Sequence, residues 1–424
     1  MKNRLASLPR HSLVCVVLAL LPNCGGGSPA AQSAQGASEP NNASATNAKP
    51  FDFDATIKRE ASGLKELGVQ GPDAAWSAKV PAAAEPKLSR AENVMLVDIP
   101  IGSESAVRCQ VFADTLDAAG TLHGVIKESA QTVEYRSIAP SGVGVLGGVP
   151  AAFLETVYVT ETEGGKGAGG LKLAIQVREQ ESLLCLHDEL GYRQTFKDIS
   201  NAFFSSFQVR NAPPNANTYS EISKLHIGDT DVGYSWTRVT PGEKPGERTF
   251  SYSNTTLMPV SPKDVIFNDA YELYAYDAKS VLQSATWVDG NNGQISMKVT
   301  LKRGAGAKYA YEGEAKGKPL KGVLDAPHGL GGPLDTAVRL KKKLKAGAPF
   351  ELVLPEYHPS VDPTTLIDVK YSHRKGDPAR QVAVTLREHT ITTEIDDDGM
   401  AKASSLQIGK NKLTIERLKS EGHP

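Results

Sequence analysis

The sequence predicts an α+β chain in which a strand-rich N-terminal unit, closed by one amphipathic helix, precedes a mainly-β half-barrel or barrel-like domain. Three observations predict it. Residues 216–418 hold many short β-type runs at near-regular spacing with turn residues between them, the pattern of a sheet curled into a barrel. Residues 192–209 place Phe196, Ile199, Phe203 and Phe207 at helical spacing, one apolar stripe suited to lie on a sheet. Asn211-Ala-Pro-Pro-Asn215 then breaks the chain and marks the boundary between the two units.

The chain has 424 residues, 40% hydrophobic and 22% charged, room for two or three domains of about 150 residues each. Lys and Arg total 47 against 48 for Asp and Glu, a formal net charge of −1. No electrostatic excess invites a polyanion, so nucleic acid is not an expected partner.

The N-terminus carries a targeting pattern. Lys2, Arg4, Arg10 and His11 form a basic head, and Leu13 to Leu21 an apolar run. At roughly nine residues the run fits a signal-peptide core and falls far short of the ~20 needed to span a bilayer. Leu21-Pro22-Asn23-Cys24 follows and resembles the lipobox of bacterial lipoproteins. That resemblance implies cleavage before Cys24, acyl chains on Cys24, and a membrane anchor through them. Residues 25–50 contain no aromatic or branched aliphatic residue and only Glu39 and Lys49 as charges. Such a segment cannot bury a core, and as a flexible tether it reaches on the order of 30 Å. The expected location is the cell envelope, on the outer membrane, facing the periplasm or the cell surface.

Of four cysteines, Cys15 belongs to the signal segment and Cys24 to the lipid. Cys109 and Cys185 remain, each within a β-like apolar stretch. Two thiols in an oxidising compartment pair as a disulfide. The alternative is a thiol nucleophile at Cys185 with His187 on the same face of a strand.

Along the chain, 51–93 reads as a lead-in, with a helix from Ala55 to Leu67 and a Pro- and Ala-rich remainder. From Val94 to 212 a compact unit is expected. Its strands are Val94–Ile99, Val107–Phe112, Phe153–Thr160, Leu171–Val177 and Leu183–His187. A weak helix spans Thr115–Ser129, and a glycine-rich loop, Gly164–Gly170, joins two antiparallel strands. With the closing helix Thr195-Phe196…Ile199…Phe203…Phe207, this unit resembles the superfamily of the photosystem protein PsbP and the Ran-binding protein Mog. The resemblance implies an α/β sandwich with an antiparallel sheet that binds partners and does not catalyse. In 216–418, Gly228-Asp-Thr-Asp231 is a hairpin signature, and only Leu334 to Leu344 reads as helical. This half resembles β-rich accessory domains of bacterial envelope proteins.

Local motifs offer little chemistry. Gly142-Val-Gly-Val-Leu-Gly147 fits GxGxxG, but an extended run follows where a dinucleotide site needs a helix, so a bend or bulge is expected. Asp396-Asp-Asp-Gly399 lacks the alternating ligands and closing glutamate of a calcium loop and reads as a solvated turn. The basic run Arg339, Lys341, Lys342, Lys343, Lys345 reads as a charged helix face. No zinc spacing, GxSxG or complete SxxK set occurs. No catalytic residue, metal or cofactor is expected. The sequence therefore points to a non-enzymatic envelope lipoprotein acting as a protein-binding or structural module. The alternative is a carrier of a lipid or other hydrophobic small molecule in a groove of the C-terminal domain lined by Trp236, Tyr271, Tyr274 and Trp287.

Overall fold

The structure, a computed structural model, describes residues 53–162, 165–212, 216–327 and 329–424. The expected signal segment, Cys24 and the expected tether lie outside the described residues. The chain is mostly β, built on large antiparallel sheets with four helices among the described residues.

The expected lead-in is largely strand. Helix α1 stops after Phe53–Ile57. Strands β1 (Lys65–Gln70), β2 (Trp76–Ala82) and β3 (Lys87–Ala91) follow. The reason lies in the side chains of Trp76-Ser-Ala-Lys-Val-Pro-Ala82, which alternate between buried and half-buried or exposed, the two-residue period of a sheet with one covered face. Moreover β3 pairs with β4 (Val94–Pro100), so the main N-terminal sheet begins before Val94, the expected boundary.

That sheet runs in the order β3-β4-β5-β10-β9-β7-β6. Strand β5 is Ala106–Phe112, β6 Glu134–Leu146, β7 Val149–Thr162, β9 Lys172–Val177 and β10 Ser182–His187. The expected glycine-rich loop contains a strand of its own, β8 (Gly165–Gly169), paired with β7. The GxGxxG run lies in β6, where the register slips between Pro140 and Gly142. It is a bulged strand ending in a turn, as its context requires.

Helix α2 (Ala118–Ser129) and helix α3 (Arg193–Ser206) cover opposite faces of this sheet. Leu122 and Val125 of α2 pack with Leu173, Ile175 and Leu184, while Phe196, Ile199 and Phe203 of α3 pack with the intervening Ala174, Leu183 and Cys185. A short strand β11 (Gln208–Val209) returns from α3 to β2, completing a small sheet β1-β2-β11. Trp76 stacks on Phe207 there, with centroids 5.3 Å apart.

The C-terminal half is one 14-stranded antiparallel sheet. An outward meander runs through β12 (Tyr219–Ile227), β13 (Thr230–Pro241), β14 (Arg248–Ser261), β15 (Asp264–Tyr276), β16 (Leu282–Asn291), β17 (Gln294–Arg303), β18 (Lys308–Ala315) and β19 (Lys318–Asp325). Helix α4 (Pro333–Lys345) intervenes. The chain then returns through β20 (Phe350–Glu356), β21 (Ile367–His373), β22 (Gln381–Leu386), β23 (His389–Ile395), β24 (Ala401–Ile408) and β25 (Asn411–Gly422). Strand β25 closes against β12, so β19 and β20 are the two edges among the described residues, and Gly331, in the segment before α4, makes an isolated bridge to Glu356 at the end of β20.

Helix α4 touches both arms of this sheet. Its first residues meet Tyr276 of β15, and the carbonyl of Ala337 lies under Gly399 in the β23–β24 turn. Strand β15 stands five places from β24 and six from β23, roughly 24–29 Å on a flat sheet, whereas α4 is only about 20 Å long. The sheet therefore curls around it. Gly399 permits the approach: its φ is +85°, and an added Cβ would fall 2.0 Å from the Ala337 carbonyl oxygen. Gly399→Ala is expected to destabilise by about 2–3 kcal/mol through steric overlap and left-handed strain, measured as a lowered urea midpoint.

The two halves share a core. Tyr234, Leu257 and Phe267 of the C-terminal sheet complete the cluster around α2. Asp269 of β15 accepts a hydrogen bond from the Ala119 N–H at 2.8 Å, so a carboxylate of one half caps a helix of the other, where the helix dipole favours it. Gly120, which weakens the helical signal, is what lets α2 approach Gly293 of the β16–β17 turn.

Candidate functional site

The face of the C-terminal sheet covered by α4 is set by strand parity. Across β16, β15, β14, β13 and β12 a single row contains Trp287, Glu272, Tyr252, Thr237 and Glu221, each directly opposite the next. This row faces inward, toward α4. One residue along lies the row Val288, Tyr271, Ser253 and Trp236, which must face outward because successive side chains alternate. The proposed four-residue groove therefore does not exist as one surface. Tyr274 and Trp287 are inside, whereas Trp236 and Tyr271 lie on the other face. There Arg238 stacks over Trp236 at 4.3 Å and pairs with Glu179 of the N-terminal half at 2.7 Å.

Helix α4 fills the centre of the inner face and leaves a cavity on each side. The first, of about 230 Å³, lies between β15, β16, the start of α4 and the segment after β20. The second, of about 320 Å³, lies between α4, β12–β14 and β22–β25. An extended lipid tail would have to displace α4 to occupy the face it covers.

Carboxylates and aromatic rings dominate the first cavity. Trp287 donates its indole N–H to the Tyr274 hydroxyl at 3.1 Å, and Tyr274 donates to Glu272 at 2.6 Å. Across the cavity Tyr371 donates to Glu356 at 2.6 Å, whose other oxygen is 3.0 Å from His358 Nε2. Burial pushes the Glu272 carboxyl above its usual range, the Tyr274 hydrogen bond and His358 work against that, and Glu356 adds to it. None of these acids stood out in the sequence, because β15 and β20 meet only through the long return of the chain. The available signal was parity: Glu272, Tyr274 and Tyr276 alternate along one strand.

Asp335 of α4 is a third acid nearby. It accepts from its own N-cap, the Gly332 N–H, at 2.7 Å, yet burial raises its carboxyl to about 6. A folded-state value above the unfolded 3.8 means that the folded chain holds the proton more tightly. This contribution to stability is complete below pH about 4 and is lost as pH rises through about 6. Asp335→Asn keeps a capping acceptor and removes the titration. The variant is expected to gain about 2–3 kcal/mol relative to the parent between pH 4 and pH 7, read from urea unfolding at the two pH values.

The second cavity is bordered by an ion network. Arg417 of β25 bonds Glu221 at 2.6 Å and Asp396 at 2.7 Å. Asp396 also accepts the backbone N–H groups of Asp398 and Met400, and Asp398 pairs with Lys341 of α4. The acidic turn is thus a clasp between β25, α4 and the β23–β24 turn, more than the solvated turn expected. Among the described residues no group of three His, Cys, Asp or Glu side chains is arranged to hold a metal.

In the N-terminal half, Cys109 and Cys185 are joined as a disulfide. They sit directly opposite each other on β5 and β10, with Cα atoms 4.0 Å apart. The thiol-nucleophile alternative falls with this. His187 is buried and engaged elsewhere, accepting from Lys172 Nζ at 3.2 Å through Nδ1. That acceptor role leaves the proton on Nε2, which faces Ser105 Oγ at 3.3 Å. Ser105 therefore meets a donor, the wrong tautomer for a general base. Burial moves Lys172 down to about 8 and His187 down to about 3, consistent with a neutral imidazole.

No protein-family model matches the chain, and no curated protein matches it. Solved structures similar to it include the following two. One is the beta-barrel-like protein of a domain of unknown function, DUF1849, from Brucella abortus, at 12% identity over 50% of this chain and 100% of that one, with a TM-score of 0.39. The other is a DUF1089 family protein from Pseudomonas aeruginosa, at 13% identity over 46% of this chain and 91% of that one, with a TM-score of 0.20.

Proposed function

We propose that the chain is a non-enzymatic, lipid-anchored protein of the cell envelope that holds a small ligand on the inner face of its C-terminal sheet. The observation that carries this reading is the cavity beside α4, where buried acids and aromatic rings converge from β15, β16, β20 and β21. A core made only for stability would fill that space with apolar side chains. The signal-like N-terminus, the tether and the buried disulfide support export to an oxidising compartment, with Cys24 as the acylated residue. In this reading residues 94–212, extended forward to Lys87, form an α/β sandwich of the PsbP- and Mog-like kind, and 216–418 a half-barrel around α4.

Native mass spectrometry of the full chain purified from an exporting host tests the ligand claim. A reproducible small-molecule mass excess is expected, and a clean apo mass together with a blank ligand screen would overturn it. Cys24→Ala is expected to move the chain from the membrane to the soluble fraction; unchanged membrane retention would remove the anchor.

A second reading, a protein-binding module, is favoured by the open sheet edges. Strands β19 and β20 have no strand on their outer sides among the described residues, and Val323 and Val353 on them are 63% and 48% exposed. Such edges accept an added strand from a partner. Site-specific cross-linking from these strands in intact cells is expected to give one reproducible envelope-protein adduct if this reading holds.

A further inference from the structure

We infer that the cavity between β15, β16, β21 and the start of α4 binds a small organic ammonium ion. The inference rests on the ligand-binding reading above and names its substrate class.

The argument begins with which polar atoms remain available. The Trp287 N–H is engaged by Tyr274, the Tyr274 O–H by Glu272, and the Tyr371 O–H by Glu356. Three of the cavity's natural donors are therefore engaged within its own walls, two of them on its acids. The walls offer an occupant mainly acid groups and aromatic rings, with the His358 imidazole beside Glu356; carboxylates and aromatic rings attract positive charge. Among the described residues neither Glu272 nor Glu356 forms an ion pair with a lysine or arginine, and only His358 approaches Glu356. An anion would meet repulsion here, and a neutral polyol would find too few donors.

The rings are arranged as walls. Tyr274 and Trp287 meet with centroids 5.5 Å apart at 84°, and Trp287 and Tyr357 at 5.1 Å and 80°. Three rings at near right angles, with acids beside them, form a corner of the kind that receives an ammonium group. A second observation is independent of the acids. Thr336 stands on the wall that this cavity shares with the second and is only 9% exposed, yet its hydroxyl, close to that of Tyr371, completes no well-formed hydrogen bond. A buried hydroxyl left so is costly unless an occupant engages it.

Size and shape narrow the class. A volume near 230 Å³ sits just below the usual range of small-molecule pockets, so it suits an ammonium head with a short substituent. The approach of the α4 entry loop is fixed by Gly331 and Gly332, where added Cβ atoms would fall 3.0 Å from Glu356 Cγ and 2.5 Å from the Tyr276 hydroxyl.

The test is calorimetric titration of the full chain with choline, ethanolamine and 3,3-dimethylbutan-1-ol, the neutral isostere of choline. At least one cation is expected to bind saturably, with the isostere about tenfold weaker or worse. Glu272→Gln and Trp287→Phe are each expected to weaken that cation about tenfold, with the Cys109–Cys185 disulfide and circular dichroism unchanged as controls of folding. Choline binding above ethanolamine would assign a quaternary ammonium, and the reverse a primary amine. Equal binding of the neutral isostere would overturn the ammonium assignment while leaving a ligand cavity. No heat with any of the three at millimolar concentration would also overturn it, and the native mass spectrum then decides the broader reading. Cation binding insensitive to both substitutions would place the site elsewhere and overturn this one.

Discussion

Arg417→Met is expected to lower the unfolding free energy by about 3–5 kcal/mol, because it removes one member of a buried ion group and leaves the others unpaired. The guanidinium is 12% exposed and lies between Glu221 at 10% and Asp396 at 19%. Glu221 also accepts the Tyr219 hydroxyl at 2.5 Å. Burial already raises its carboxyl, with Tyr219 and Arg417 opposing the rise. Without Arg417 that opposition weakens, and Glu221 must ionise in an apolar setting or take up a proton. The sign of the pH dependence follows. A carboxyl raised in the folded state favours folding at low pH and loses that contribution as pH rises through its folded value. The deficit of Arg417→Met against the parent should therefore be smallest in acid and largest near neutrality. Urea unfolding at both ends of that range checks it; a deficit independent of pH would mean that packing, and not charge, is what Arg417 provides. Adding Glu221→Gln to Arg417→Met should recover part of the loss, since the stranded charge is then gone.

The position of that ion group shows how much of the fold was legible in the sequence. Strand existence was visible from Val94 onward, as in β4 or β13, because the apolar pattern of a strand is a local property, whereas β2 was hidden within a Pro- and Ala-rich stretch. Also visible were helix α3, whose phenylalanines repeat at 3.6 residues, and α4, whose polar face carries the lysines. Strand β3 was hidden because its side chains are exposed or half-buried along their length, leaving no apolar run to detect. The inner face was hidden for a different reason. Opposite Leu225 and His226, Ala275 and Tyr276, and Asp289 and Gly290 the partner strand holds an extra residue, so counting by twos along that partner fails there. Trp236 and Tyr271 were selected by residue type, and their strands turn those positions outward. Glu272 had only its parity with Tyr274, and Glu356 and Arg417 had no local signature at all. Each gains its surroundings because β25 returns beside β12 and α4 crosses between the arms, and that long-range closure leaves no trace within any short window of sequence.

The same non-local closure operates in the N-terminal sheet, where it is covalent. Cys109→Ala with Cys185→Ala is expected to cost about 4–5 kcal/mol on the chain-entropy argument, enough to consume much of the stability of an ordinary domain. The bond spans 76 residues, a segment that contains α2 and β6 through β9. It joins β5 to β10, two central strands that are neighbours in the sheet but distant in the chain. In the reduced unfolded chain these strands must find each other across a long loop before any pairing rewards them. Both sulfurs are fully buried, under Phe196, Ile199 and Phe203 of α3. Two results are therefore expected together. The double alanine variant should unfold at a clearly lower urea concentration, with the loss appearing in the N-terminal half. The parent, treated with dithiothreitol, should keep its disulfide in native buffer and release two thiols only when urea opens the sheet. Rapid release in native buffer would show that α3 detaches readily and that the disulfide holds the sheet alone, without the helix that covers it.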